Sequence, residues 1–185
     1  MQYEVIIAGF GGQGVMLIGQ LLSNAAMMQG SNTSWMPSYG PEMRGGTANC
    51  TVIVSDGEIG SPVVPHPSAA IVMNRPSMDK FEPLVQPGGL LIVNSSLIDR
   101  EALRDDIDVL YVPANHLAET EVGTGKSANM VVLGAYIGFT GAATDEIVKY
   151  AMAKKMVGKE RFLPANQAAL DIGIRMAQEY KAAKA

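Results

Sequence analysis

The sequence predicts an α/β protein with a mostly parallel sheet, flanking helices and a helical C-terminal part. Three observations carry this. Short runs of β-branched and aliphatic residues alternate with longer stretches that are apolar at nearly every helical turn. A glycine cluster follows the first such run at once, as in a strand-turn-helix unit. Beyond Ala128 the chain reads as successive helices with no further strand.

Each element has its own reason. Val5, Ile6 and Ile7 make Tyr3 to Ala8 a buried strand. Val15 to Met28 is a helix, ended by Gly30. Thr33 to Met36 is a short strand, and Thr47 to Ser55 is another, with Thr51, Val52, Ile53 and Val54 at its heart. Asp56-Gly57 is a hairpin signal, with Glu58 to Ser61 as the expected return strand. Three prolines between Pro62 and Pro67 make a rigid connection. Ala69 to Met73 and Leu90 to Asn94 are buried strands, and Ser77 to Val85 between them is helical until Gln86-Pro87-Gly88-Gly89 breaks it. Asp99 to Asp106 is expected to be a short helix, Val109 to Val112 a strand and Asn115 to Glu121 helical. Ala128 to Phe139 is a small-residue helix. Thr144 or Asp145 caps the next, to about Met156, and Asn166 to Lys184 is the terminal helix.

Bulk properties narrow the function. The chain has 185 residues, suited to one domain spanning 1–185. It is 48% hydrophobic and only 17% charged, which suggests that other chains cover part of its surface. A net charge of -4 without a basic run argues against nucleic acid. No apolar segment is long enough for a membrane span, and the start enters a strand without a secretory signal, so the expected location is cytoplasmic. The single cysteine, Cys50, excludes an internal disulfide, and alone it cannot ligate a cluster or a cysteine zinc site. It reads as a small buried hydrophobe. His66 reads as a loop residue and His116 as a surface or capping one, so no metal site is expected. The twelve methionines read mostly as core filling.

Gly9-Phe10-Gly11-Gly12-Gln13-Gly14 fits G-x-G-x-x-G between a strand and a helix, which makes the expected fold Rossmann-like. Gly9, Gly11, Gly12, Gln13 and Gly14 are the candidate cofactor-binding residues, because glycine admits close backbone approach and a helix N-terminus offers free N–H groups to an anion. Thr33 to Ser38 carries no acid for a ribose, which argues against a nicotinamide. The glycines alone leave two readings open, tight strand–helix packing or an anion site.

A second loop is more specific. Ser38-Tyr39-Gly40-Pro41-Glu42-Met43-Arg44-Gly45-Gly46-Thr47-Ala48-Asn49 sets an acid and an arginine among glycines and a proline. Core packing needs no such mixture. Tyr39, Gly40, Pro41, Glu42, Arg44, Gly45, Gly46 and Asn49 are therefore candidate interface or ligand residues. Both loops are expected at the carboxyl edge of the sheet, facing one site. Gly123-Thr124-Gly125-Lys126-Ser127 has the tail of a P-loop without its first glycine. Lys126 reads first as a solvated lysine and second as a phosphate contact. No catalytic residue stands out.

The segments Gly9 to Val15, Tyr39 to Gly46 and Asn129-Met130 before a small-residue helix together resemble the gamma subunit of 2-oxoacid:ferredoxin oxidoreductases, over nearly the whole chain. The 2-oxoglutarate type is nearest in flavour, with the 2-ketoisovalerate and pyruvate types close behind. The resemblance implies oxidative decarboxylation of a 2-oxoacid with coenzyme A to an acyl-CoA, carbon dioxide and reduced ferredoxin. It implies thiamine diphosphate and iron–sulfur clusters on other subunits, alpha and beta with a delta subunit as an open addition. This chain would help position coenzyme A and would be inactive alone. The alternative reading is a free-standing nucleotide-binding or regulatory module built on the Gly9–Gly14 loop.

Overall fold

The computed structural model describes residues 1–39 and 47–184, with only the backbone at Tyr39. Six strands form one sheet: β1 (Gln2–Phe10), β2 (Asn32–Tyr39), β3 (Thr47–Ser55), β4 (Ala69–Val72), β5 (Leu90–Asn94) and β6 (Asp108–Val112), in the order β2-β3-β1-β4-β5-β6. β1, β4, β5 and β6 pair in parallel, while β3 is antiparallel to both β1 and β2. So β3 alone is reversed. The chain turns back from β2 into β3, and β3 takes the place beside β1.

Helices α1 (Val15–Met28), α4 (Ala128–Thr140), α5 (Asp145–Lys155) and α6 (Leu163–Lys184) share one core with Val5 and Ile7 of β1. Helix α2 (Arg75–Phe81) covers the other face with Met78 and Phe81, against Ile6 and Ala8. Alternate residues of β1 thus serve opposite layers, as the pleat requires. The remaining helix, α3 (Ala114–Leu117), continues into a π-helical turn at Ala118–Val122. No helix among the described residues is long and apolar enough to cross a membrane.

Several elements match the sequence reading because their signals are local. α1 buries Val15, Ile18, Leu21, Leu22, Ala25 and Ala26, a helical stripe, and Gly30 follows its end at φ 92. Asn74 caps α2 by accepting from the Ser77 N–H at 2.9 Å, so this helix starts earlier than its apolar pattern suggests. Thr144 caps α5.

Two expected elements are absent. Glu58 to Ser61 is not a strand. Both edges of β3 are already occupied by β1 and β2, so a return strand has nowhere to pair. Instead the Asp56 N–H donates to the Met1 carbonyl at 3.1 Å, and its carboxylate meets the terminal amine at 2.8 Å. Asp99 to Asp106 is not a helix either. That segment wraps the buried carboxylate of Glu82. The Leu103 and Arg104 N–H groups donate to Glu82 Oε1, and Arg100 Nη2 lies 2.8 Å from Glu82 Oε2. The Ala102 N–H donates to the Tyr111 hydroxyl at 2.7 Å. A buried carboxylate needs such donors, and this need outweighs a weak helical propensity.

The closest helix pair is α4 on α6. A Cβ added at Gly134 would sit on the Leu170 carbonyl oxygen, and one at Gly173 on that of Val131. At each contact a glycine of one helix meets the backbone of the other directly. Gly173→Ala is expected to destabilise the protein by about 3 kcal/mol, the upper end for overpacking. Gly60→Ala, where a Cβ meets open space, should change stability by less than about 0.5 kcal/mol. Denaturant unfolding of both variants checks this, and equal midpoints would refute it.

Candidate functional site

β1 ends at Phe10, and the chain turns through Gly11 to Gly14 into α1. Gly12 and Gly14 have φ of 98 and 76, the left-handed region that glycine adopts freely. At Gly9 a Cβ would lie 2.6 Å from Gln13 Oε1 and 2.9 Å from Met73 Cβ. The fold therefore accounts for glycine at Gly9, Gly12 and Gly14. Gly14 packs close, but against helix α4: an added Cβ would strike the Asn129 amide, 3.0 Å from its Cγ.

Gln13 is a bracket. Its Oε1 accepts from the Phe10 N–H at 2.6 Å and its Nε2 donates to the Met73 carbonyl at 3.1 Å. Asn74 Nδ2 adds a third contact at 3.4 Å. Both ends of the Gln13 amide thus join the loop to the end of β4. No side chain caps α1, so its first-turn N–H groups have no capping side chain.

The flanks of the second loop lie at the same edge. Phe10 pairs with Thr47, Tyr39 with Ala48, and Ala8 with Asn49. Asn49 is half-buried in β3. Gly40, Pro41, Glu42, Arg44, Gly45 and Gly46 lie outside the described residues. The expected convergence of the two loops at the carboxyl edge thus holds for the strand ends that carry them.

A cleft of about 240 Å³ opens at this edge, lined by Gly12, Gln13, Met73, Asn115, Lys126 and Asn129 among others. It lies where the β1–α1 loop meets the start of α3 and the 3₁₀ turn Gly125–Ser127 that leads into α4. Asn129 Nδ2 donates to the Gly14 carbonyl at 3.4 Å and so joins α4 to the glycine loop. Exposed Lys126 pairs with no carboxylate among the described residues, while Glu119 lies against Gly125 in the preceding turn. A second, more apolar cleft of about 240 Å³ lies on the other side of Lys126 and Asn129, with Leu17, Met130, Met156 and Phe162. Asn115 and Met73 were not legible as site residues in the sequence. Lys126 was, as the second reading of a loop lysine.

This arrangement can bind and orient an anion. Among the described residues it contains no assembled nucleophile. Cys50 is fully buried in β3, and burial pushes its thiol from 9.0 up to about 12. His66 and His116 are exposed. Among the described residues no three His, Cys, Asp or Glu side chains cluster as metal ligands.

Two outcomes follow. Gly12→Ala should cost about 1 kcal/mol for its backbone angle alone, whereas Gly14→Ala should cost about 2 kcal/mol more because it also strikes Asn129. Asn129→Ala should recover part of the second loss, and chemical denaturation of the three variants and the double variant measures it. The Cys50 thiol should react with a thiol reagent only on unfolding. Between pH 9.0 and about 12 the unfolded thiol ionises while the folded one keeps its proton, so stability should fall as pH rises through that window. Labelling of the native protein at neutral pH, at the rate of a free thiol, would contradict this.

Comparison with known proteins places the fold. The family model described as pyruvate ferredoxin/flavodoxin oxidoreductase matches residues 4–176. The ketoisovalerate oxidoreductase subunit VorA of Methanothermobacter marburgensis is 37% identical over 180 residues, covering 96% of this chain and 37% of that subunit. The chain thus spans little more than a third of that relative's length. The 2-oxoglutarate synthase subunit KorC of the same organism is 36% identical over 159 residues, covering 80% of this chain and 86% of that one. The crystal structure of the keto/oxoacid ferredoxin oxidoreductase gamma subunit from Geobacter sulfurreducens superposes with a TM-score of 0.83 at 30% identity, covering 96% of this chain and 99% of that one. With the glycine loop and all but the outer ends of β1 and α6 inside the matched span, the chain belongs to the pyruvate ferredoxin/flavodoxin oxidoreductase family.

Proposed function

We propose that this chain is the gamma-type subunit of a 2-oxoacid:ferredoxin oxidoreductase, formed as one domain, and that its carboxyl-edge cleft holds a phosphate of coenzyme A. The cleft carries the proposal. It sets a lysine without a carboxylate partner among the described residues beside the glycine loop and the start of α4, in a chain of this family. An anion there meets the Lys126 charge and the positive end of the α4 dipole. The glycines keep side chains out of its way.

In this reading the complex decarboxylates a 2-oxoacid, passes the electrons to ferredoxin and transfers the acyl group to the coenzyme A thiol. The work of this chain is to bind and orient coenzyme A. One buried cysteine does not make the ligand set of an iron–sulfur cluster, so the clusters and thiamine diphosphate are assigned to the alpha and beta subunits, or to a delta subunit. Tyr39 to Gly46, with Glu42 and Arg44, and Asn49 are assigned a role in contacting a partner subunit or the ligand. The complex is assigned to the cytoplasm. The named relatives include both ketoisovalerate and 2-oxoglutarate enzymes, so the substrate is proposed as a 2-oxoacid, with 2-oxoglutarate the first to test.

The test is to isolate the complex through this chain from its own cells. Partner chains with cysteine clusters should accompany it, and a panel of 2-oxoacids should support ferredoxin reduction only with coenzyme A present. Lys126→Ala should raise KM for coenzyme A about tenfold, the worth of one charge-assisted contact. A chain that purifies alone would favour the free-standing module. An unchanged KM in Lys126→Ala would remove coenzyme A from this cleft.

A further inference from the structure

Asn94 ends β5 as a fully buried amide, in a strand otherwise made of aliphatic residues. Its Nδ2 donates to Asn115 Oδ1 at 2.8 Å, and its own oxygen has no partner among the described residues. Burying an unpaired amide oxygen is unfavourable, and an aliphatic side chain would avoid it. Core packing alone does not explain Asn94. What it does is hold Asn115. The oxygen of Asn115 is turned to Asn94, which leaves the Asn115 Nδ2 group to be offered elsewhere, and Asn115 lines the cleft with Lys126. A second contact, the His116 N–H to Ser96 Oγ at 3.1 Å, anchors α3 beside the end of β5. The other amides of the cleft are already engaged, Gln13 at both ends and Asn129 through its nitrogen.

We propose that Asn115 is a ligand-contacting hydrogen-bond donor of the cleft and Asn94 the positioning residue that orients it, the pair together selecting an anionic oxygen. This rests on the reading of the cleft as a coenzyme A phosphate site. The same chemistry would suit the carboxylate of a 2-oxoacid, and the kinetics separate the two.

The experiment uses the complex isolated through this chain. KM for coenzyme A, KM for the 2-oxoacid and kcat are measured for Asn94→Ala, Asn115→Ala, the double variant, Asn115→Asp and Lys126→Ala. Asn115→Ala should raise KM for coenzyme A about tenfold, with a smaller effect on kcat. Asn94→Ala should raise it by a lesser factor. The double variant should be no worse than Asn115→Ala, since Asn94 acts through Asn115. Asn115→Asp keeps the shape but opposes the anion, so it should raise KM further than Asn115→Ala, even if Asn94→Ala fails to fold. The inference is overturned if both Asn115 variants leave KM for coenzyme A unchanged, if only KM for the 2-oxoacid moves, or if the two alanine effects multiply. If Lys126→Ala raises KM while the asparagine variants do not, this inference alone fails. If Lys126→Ala is also silent, the reading of the cleft fails with it.

Discussion

The contact between the α4 and α6 backbones sets the geometry on which the rest of the structure depends. At Gly134 and Gly173 the helices approach until a single Cβ on either would overlap a carbonyl oxygen of the other. Such contact leaves little freedom to slide, because close-packed interiors transmit a displacement instead of absorbing it. α4 is buried along nearly its whole length, from Ala128 to Ile137, so its position fixes much of one core layer. A methyl group at this crossing would therefore be felt at the far end of the helix.

That far end lines the carboxyl-edge cleft. The start of α4 carries Lys126 just before it and Asn129 just inside it, and Asn129 meets the Gly14 carbonyl. The glycine loop is held on its other side by Gln13, which reaches β4. The cleft thus has walls fixed from two directions, by helix packing through α4 and by side-chain hydrogen bonds through Gln13. Under the proposed role in orienting an anion, the cleft gains from walls that do not need reorganising when the ligand arrives. Its opening lies at the carboxyl ends of parallel strands, where open α/β sheets commonly bind ligands.

The reversal of β3 has a consequence at the same edge. Because β3 runs against β1 and β2, the end of β2 and the start of β3 lie at the edge where the β1–α1 loop leaves β1. The opposite flank shows a different economy. Glu82 gathers donors from Arg100, Leu103 and Arg104, and the segment before β6 takes its shape from that carboxylate.

The sequence by itself determined the elements whose signals are local. Val15–Met28, Thr47–Ser55 and Leu90–Asn94 have the bounds that apolar spacing, β-branching and flanking glycines indicate. It also marked the glycine loop and, through that loop and Tyr39 to Gly46, the family. Only the tertiary structure decided what those glycines face. Gly14 answers to Asn129, 115 positions away, and no periodicity encodes such a contact. The same holds for Asn94 with Asn115, for Gly134 with Leu170, and for the irregular path around Glu82. Local propensity is worth tenths of a kcal/mol per residue. Burying a carboxylate or overlapping two backbones costs several-fold more. Where the two compete, packing and hydrogen-bond satisfaction decide, and they depend on residues that only the folded chain brings together.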